Sequence, residues 1–175
     1  GSLNGNFYKI DPSNGKKIWS YKAGAQIHST CALNNNAAVF GTDKGKIIAV
    51  ETASGTEKWK VETGLPVIST PLINGDKVYI GCNDSNFYCI SLNDGNKFWQ
   101  VNLHSKIISG SASDKDGNII VGCVDGKLYK LSKENGNILW SAETKGTIVS
   151  SPVVSGKNLY ISSYDSYVYA FDIET

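Results

Sequence analysis

Four cysteines (Cys31, Cys82, Cys89 and Cys123) and two histidines (His28 and His104) are the soft ligands and nucleophiles of this chain. No two cysteines have CxxC spacing, and two histidines are too few to complete a tetrahedral zinc cluster. Cys82 and Cys89 are expected to flank one hairpin turn on the same face, where a strained disulfide is conceivable. The simpler expectation is small, half-buried thiols standing where related positions carry Thr, Ser or Ala. Ser29, Ser69, Ser109 and Ser150 recur at near-constant spacing. A serine nucleophile needs a base within hydrogen-bonding reach, and no such base recurs with them, so tight packing is the expectation. His28 shares a column with Ile68, Ile108 and Val149. It is a candidate channel-lining base or ligand, with a half-buried, hydrogen-bonded imidazole as the expected state. His104 is expected on a surface loop. Asp84, Asp125 and Asp165 recur at one turn. Such carboxylates either circle a rim, where calcium or a basic partner binds, or bond their own turn backbone, and the second is expected. Asn83-Asp84-Ser85 has the form of a glycosylation sequon, a weak signal in an Asn-rich chain.

Composition narrows the partners. The 175 residues carry seventeen basic side chains, all Lys, against sixteen acidic ones, for a net charge of +1. That balance exerts no overall pull on nucleic acid or anionic membrane. The absence of Arg removes the usual fork for phosphate, carboxylate and guanine. No glycine-rich loop leads into a helix to cradle phosphate, and no apolar run approaches the ~18 residues of a membrane span. Gly1-Ser2 reads as a cloning remnant, and with no Met in the chain the native start is expected upstream.

What must position these residues is a repeat. Trp19, Trp59, Trp99 and Trp140 are spaced by 40, 40 and 41 residues, and each stands four residues after a glycine: Gly15, Gly55, Gly95 and Gly136. Ile10-Asp11, Val50-Glu51, Ile90-Ser91 and Leu131-Ser132 precede the glycines at constant distance. The extra residue of the 41-residue spacing fits the loop Asp114-Lys115-Asp116-Gly117. A fixed period near 40 marks a stacked supersecondary unit. Short Val-, Ile- and Tyr-rich runs between Gly, Asn and Asp clusters make that unit all-β. In the second unit, strands are expected near 66–73, 77–82, 86–92 and 96–102. Four strands buried face to face describe the blade of a propeller. The bounds read as a part-blade at 3–22, repeats at 23–62, 63–102 and 103–143, and a part-blade at 144–175, all in one domain. The glycine gives the hairpin its positive φ, and the tryptophan crosses to the neighbouring blade, where its indole N–H needs a partner such as a turn carbonyl.

The stretch Ala49-Val50-Glu51-Thr52-Ala53-Ser54-Gly55-Thr56-Glu57-Lys58-Trp59 resembles the tryptophan-docking motif of the PQQ-like (quinoprotein alcohol dehydrogenase-like) β-propellers. Ala170-Phe171-Asp172-Ile173-Glu174-Thr175 is similar to the start of another copy. The copies ending at Trp19, Trp99 and Trp140 keep Gly and Trp but place Lys9, Cys89 and Lys130 where the family has Ala. The resemblance spans essentially the whole chain. It implies a ring of seven or eight blades, of which about four repeats are visible here. Because the chain opens with the last two strands of one blade and closes with the first three of another, a second copy completing the ring is a further expectation.

The family's dehydrogenases hold pyrroloquinoline quinone beside calcium, over a tryptophan floor, with an Asp base, often two adjacent cysteines, and an Arg or Lys near the quinone oxygens. This chain has no adjacent cysteines and no Arg, and its four tryptophans belong to the docking motif, so neither PQQ nor calcium is expected. The resemblance then implies a noncatalytic scaffold that binds protein or small-ligand partners, with a cell-envelope or extracytoplasmic place. The alternatives are a fragment of a quinone-dependent dehydrogenase and a sensor domain of a membrane- or kinase-linked protein.

Overall fold

A computed structural model describes residues 1–174, and all regular structure in it is β. Seventeen strands form five antiparallel sheets in chain order. The first sheet has two strands, β1 (Asn6–Ile10) and β2 (Lys17–Lys22). The second runs β3 (Ala32–Leu33), β4 (Ala37–Gly41), β5 (Lys46–Glu51) and β6 (Glu57–Glu62). The third runs β7 (Leu72–Asn74), β8 (Lys77–Gly81), β9 (Asn86–Ser91) and β10 (Lys97–Asn102). The fourth comprises β11 (Ser111–Ser113), β12 (Ile119–Gly122), β13 (Lys127–Leu131) and β14 (Ile138–Glu143). The last has three strands, β15 (Val153–Ser155), β16 (Asn158–Ser162) and β17 (Val168–Asp172).

Sequence dictates this layering directly. Ala37–Gly41 and Ile47–Val50 are buried on both faces, because a middle strand of a blade is covered by a sheet on either side. The outermost strands alternate instead, as in Glu57–Glu62, where Trp59 is buried between exposed neighbours. The core is a series of layers between sheets. Phe7 stacks on Phe40 with centroids 4.3 Å apart between the first two sheets. Val39 and Trp59 meet Val78 and Ile90 between the next two. Tyr79 and Trp99 meet Ile119 and Leu131 at the third junction, and Ile120 and Leu128 meet Leu159 and Ile161 at the last.

Three expectations need correction. The innermost strand of the second unit was expected over 66–73, but β7 covers only Leu72–Asn74. The preceding backbone bridges two sheets and so follows no single ladder: Val67 N–H donates to Thr42 O at 3.0 Å and Pro66 O accepts from Asn83 N–H at 3.0 Å. Cys82 and Cys89 do not share a face. Cys82 packs with Val78 and Ile80 toward the second sheet, and Cys89 packs with Tyr79 and Trp99 toward the fourth. All four thiols are free, and Cys82, Cys89 and Cys123 are fully buried, not half-buried.

Candidate functional site

The recurring residues converge on two rows, an outer one of tryptophan seats and an inner one at the hub. In the outer row each indole N–H donates to a backbone carbonyl of the next sheet. Trp19 reaches Thr52 O at 3.3 Å, Trp59 reaches Leu92 O at 2.8 Å, Trp99 reaches Lys133 O at 3.2 Å and Trp140 reaches Ile173 O at 3.2 Å. The next motif's glycine forms the floor. A Cβ on Gly55 would lie 2.7 Å from the Trp19 ring, one on Gly95 3.0 Å from Trp59, and one on Gly136 2.6 Å from Trp99. All three glycines have φ near +75°. So glycine is required twice over here, by the turn and by the ring resting on it. Gly15 has the same φ, +71°, with nothing within 4 Å of its would-be Cβ.

The departures from the motif's Ala are additional donors to the same carbonyls. Lys9 Nζ donates to Thr52 O at 2.9 Å, and Lys130 Nζ to Ile173 O at 3.0 Å, each beside the indole. Lys130 also lies 2.9 Å from Asp114 Oδ2, with the Asp114 side chain only 1% exposed. Burial pushes that carboxyl up, but the Lys130 ammonium and the Asn118 amides hold it net below its ordinary value. Asp114 opens the loop that carries the extra residue, so the ion pair anchors the insertion. This loop, with Asn74, Asp76, Lys77 and Glu134, lines a polar cleft of about 410 Å³ between the third and fourth sheets. Sequence reasoning noted both lysines as departures from the motif but not as donors to the seat. The available signal was a charged residue at a position that is apolar in the other copies.

At the hub, the recurring serines bond backbone. Ser69 Oγ donates to Gly81 O at 2.7 Å and accepts from Gly81 N–H at 3.1 Å. Ser109 Oγ donates to Gly122 O at 2.9 Å, Ser150 Oγ to Ser162 O at 2.9 Å, and Ser29 Oγ to Ser69 O at 2.7 Å. His28 is more open than the half-buried place expected for it. Its side chain is 49% exposed and its Nε2 stands 3.3 Å from Asp43 Oδ2. Sequence reasoning did not single out Asp43, whose Oδ1 is buried without a partner. His104 sits exposed in a loop at φ +61°. Asp84, Asp125 and Asp165 accept backbone N–H bonds from the second residue on, at 2.8, 3.1 and 3.0 Å. Asp84 and Asp165 also accept from the Tyr88 and Tyr169 hydroxyls at 2.5 and 2.6 Å. Among the described residues no group of three His, Cys, Asp or Glu is placed to hold a metal ion, and no helix is long and apolar enough to cross a membrane.

Sheets joined through indole seats define a tryptophan-docked β-propeller repeat protein. A family model described as outer membrane protein assembly factor BamB matches residues 3–102 and again 83–175, and the chain belongs to that family. No curated protein matches significantly. Among solved structures, BamB from Moraxella catarrhalis is similar over 99% of this chain and 57% of its own, with 23% identity and a TM-score of 0.89. The computationally designed Ika8 protein is similar over 99% of this chain and 54% of its own, at 16% identity and a TM-score of 0.86. The designed Ika4 protein is similar over 85% of this chain and 92% of its own, at 16% identity and a TM-score of 0.77. The chain thus spans little more than half the length of the first two.

Proposed function

We propose that this chain is a noncatalytic propeller scaffold whose loops bind a protein partner, with its place in the cell envelope. The observation that carries this reading is how the recurring polar groups are used. All four indoles, all four hub serines and the recurring turn aspartates are hydrogen-bonded within the repeats themselves. What is left to differ from copy to copy is loop surface: the insertion loop with its cleft, and the His28–Asp43 pair. Loops on a rigid β scaffold are where binding residues collect.

The described residues do not fit a pyrroloquinoline quinone. Its floor needs a free tryptophan face on the channel, and these indoles lie on outermost strands against the next hairpin. The turn carboxylates that would hold calcium are engaged by N–H and Tyr O–H donors. The BamB of the matched family is named as an assembly factor for outer membrane proteins, which supports a protein as the ligand class.

Two measurements test the reading. A thermal-shift titration with pyrroloquinoline quinone and calcium is expected to leave Tm unchanged. A saturable rise, as mass action requires of a native-state ligand, would replace the scaffold by the dehydrogenase reading. Charge reversal at Asp76 and Asp116 in the cleft loops is expected to abolish partner capture at unchanged Tm. Capture that survives substitution of every loop overturns the proposal.

A further inference from the structure

Four Asn-Gly pairs occur in the chain, at Asn4, Asn14, Asn74 and Asn135. This dipeptide carries its own chemistry. The amide nitrogen that follows an asparagine can attack the side-chain carbonyl, and glycine, with no Cβ, shields that nitrogen least. The fold disarms three of the four pairs. Gly5 N–H donates to Ser2 O at 3.1 Å, Gly15 N–H to Asp11 O at 2.8 Å and Gly136 N–H to Ser132 O at 2.9 Å. The side-chain carbonyls are held as well. Asn4 Oδ1 accepts from Asn6 N–H at 3.0 Å, Asn14 Oδ1 from Lys16 N–H at 2.9 Å and Asn135 Oδ1 from Asn137 N–H at 3.0 Å. In each of these turns nucleophile and electrophile are both engaged elsewhere.

Asn74 differs. It ends β7 and pairs with Lys77 across the two-residue turn Gly75-Asp76. Among the described residues Gly75 N–H donates to no backbone carbonyl, and the exposed Asn74 side chain has no hydrogen-bond partner. Gly75 has φ +62° with nothing within 4 Å of its would-be Cβ. The turn closes a strand of three residues at the lip of the polar cleft, so local opening is cheap there.

We propose that Asn74 is a self-modification site of the folded chain, converting to aspartate and isoaspartate with release of ammonia. When the turn opens, Gly75 N loses its proton to solvent and bonds to Asn74 Cγ, and the side-chain nitrogen leaves as ammonia. One water then opens the five-membered succinimide. Attack at Cγ breaks the new bond and gives aspartate. Attack at the main-chain carbonyl gives isoaspartate, whose chain runs on through Cγ. Amide and water are exchanged for acid and ammonia, and nothing is oxidised or reduced.

The product changes the cleft. Asn74 Nδ2 lies 3.6 Å from the point a Cβ on Gly117 would occupy, and Lys133 Nζ lies 3.5 Å from the same point. The new carboxylate therefore arises between the two walls, next to Asp76 in sequence and within reach of the Lys133 ammonium. The formal charge of the chain falls from +1 to zero. Isoaspartate also adds a main-chain carbon beside a two-residue turn, whose length sets the β7–β8 register. None of this depends on what the cleft binds.

The fifth sheet supplies an inert form of the same turn. Ser155 pairs with Asn158 across Gly156-Lys157, and Gly156 has φ +60° in open space. Serine offers no carbonyl to attack, so Asn74→Ser is expected to keep the fold and its Tm.

The test is incubation of the full folded chain at neutral and mildly alkaline pH, followed by peptide mass mapping and by enzymatic methylation of isoaspartate. Asn74 is expected to convert first, about ten-fold or more ahead of Asn4, Asn14 and Asn135, since each of those must first lose two hydrogen bonds. The rate should rise with pH, because the attacking nitrogen is deprotonated. In urea the four sites should convert at similar rates. Asn74→Ser should remove the early ammonia release and the acidic shift on isoelectric focusing. Folded-state conversion that begins at another pair overturns the proposal. So does an intact Asn74 after the unfolded chain has converted, or the same ranking of sites in urea.

Discussion

At the scale of single residues, the seats divide the glycines into two kinds. Gly24 and Gly55 both have φ near +75°, but only Gly55 lies beneath an indole. Gly24→Ala is expected to cost about 1 kcal/mol, the penalty of a left-handed backbone. Gly55→Ala is expected to cost about 1–3 kcal/mol more, because the new methyl meets fused-ring carbons that cannot move without leaving their carbonyl. Urea unfolding of the two variants measures the difference, and equal midpoints would mean that the seat is softer than its geometry. The pairing of Gly with Trp was legible because both recur. The acceptor carbonyl was legible only as a need, since backbone atoms leave no mark in a sequence. Lys9 and Lys130 were legible as departures from the motif, but not as donors.

At the scale of elements, the same difference between pattern and geometry recurs. Strands β8, β9 and β10 lie within a residue or so of their expected bounds, because turn residues and apolar runs mark both ends. The innermost strand came out short because Pro66, Val67 and their neighbours spend their hydrogen bonds on two sheets, which no local pattern announces. The misplaced Cys82 has a similar cause. It lies just past the end of β8, at the turn, where strict alternation no longer sets the face.

The insertion loop supplies a pH test at this scale. The Asp114 carboxyl is depressed in the folded chain, so its pairing with Lys130 stabilises the fold above the ordinary carboxylate value of 3.8. That contribution is lost as pH falls through the lowered folded value. Unfolding measured from neutral pH downward should therefore show a steeper acid limb in the parent than in Asp114→Asn. Lys130→Ala, which leaves the buried carboxylate unpaired, should cost about 3–5 kcal/mol at neutral pH. An acid limb of the same slope in parent and Asp114→Asn would remove the pair from the account of stability.

At the scale of the whole molecule, stability lies in junctions between neighbouring sheets, so the interior opens one junction at a time. The cysteines report this. Burial raises the Cys82 and Cys89 thiols to about 11 and Cys123 to about 12, while Cys31 lies partly exposed at the first junction. A thiol reagent at mildly alkaline pH should modify one site per chain quickly and the other three only through opening of the fold. Intact mass against time distinguishes one fast step from several. Fast labelling of Cys123 would show that the third junction is open in solution.

The docking distance also has a consequence for synthesis. Every indole finds its carbonyl 33 or 34 residues further along the chain. A ribosome adding about 5–20 residues per second leaves each tryptophan waiting roughly 2–7 seconds before its acceptor is made. The newest sheet is thus always the one with an unseated ring, and maturation advances from the N-terminus as a front of constant depth. A stall anywhere along the message would strand one repeat's worth of sticky aromatic surface, whatever length of chain had already been released into the exit vestibule.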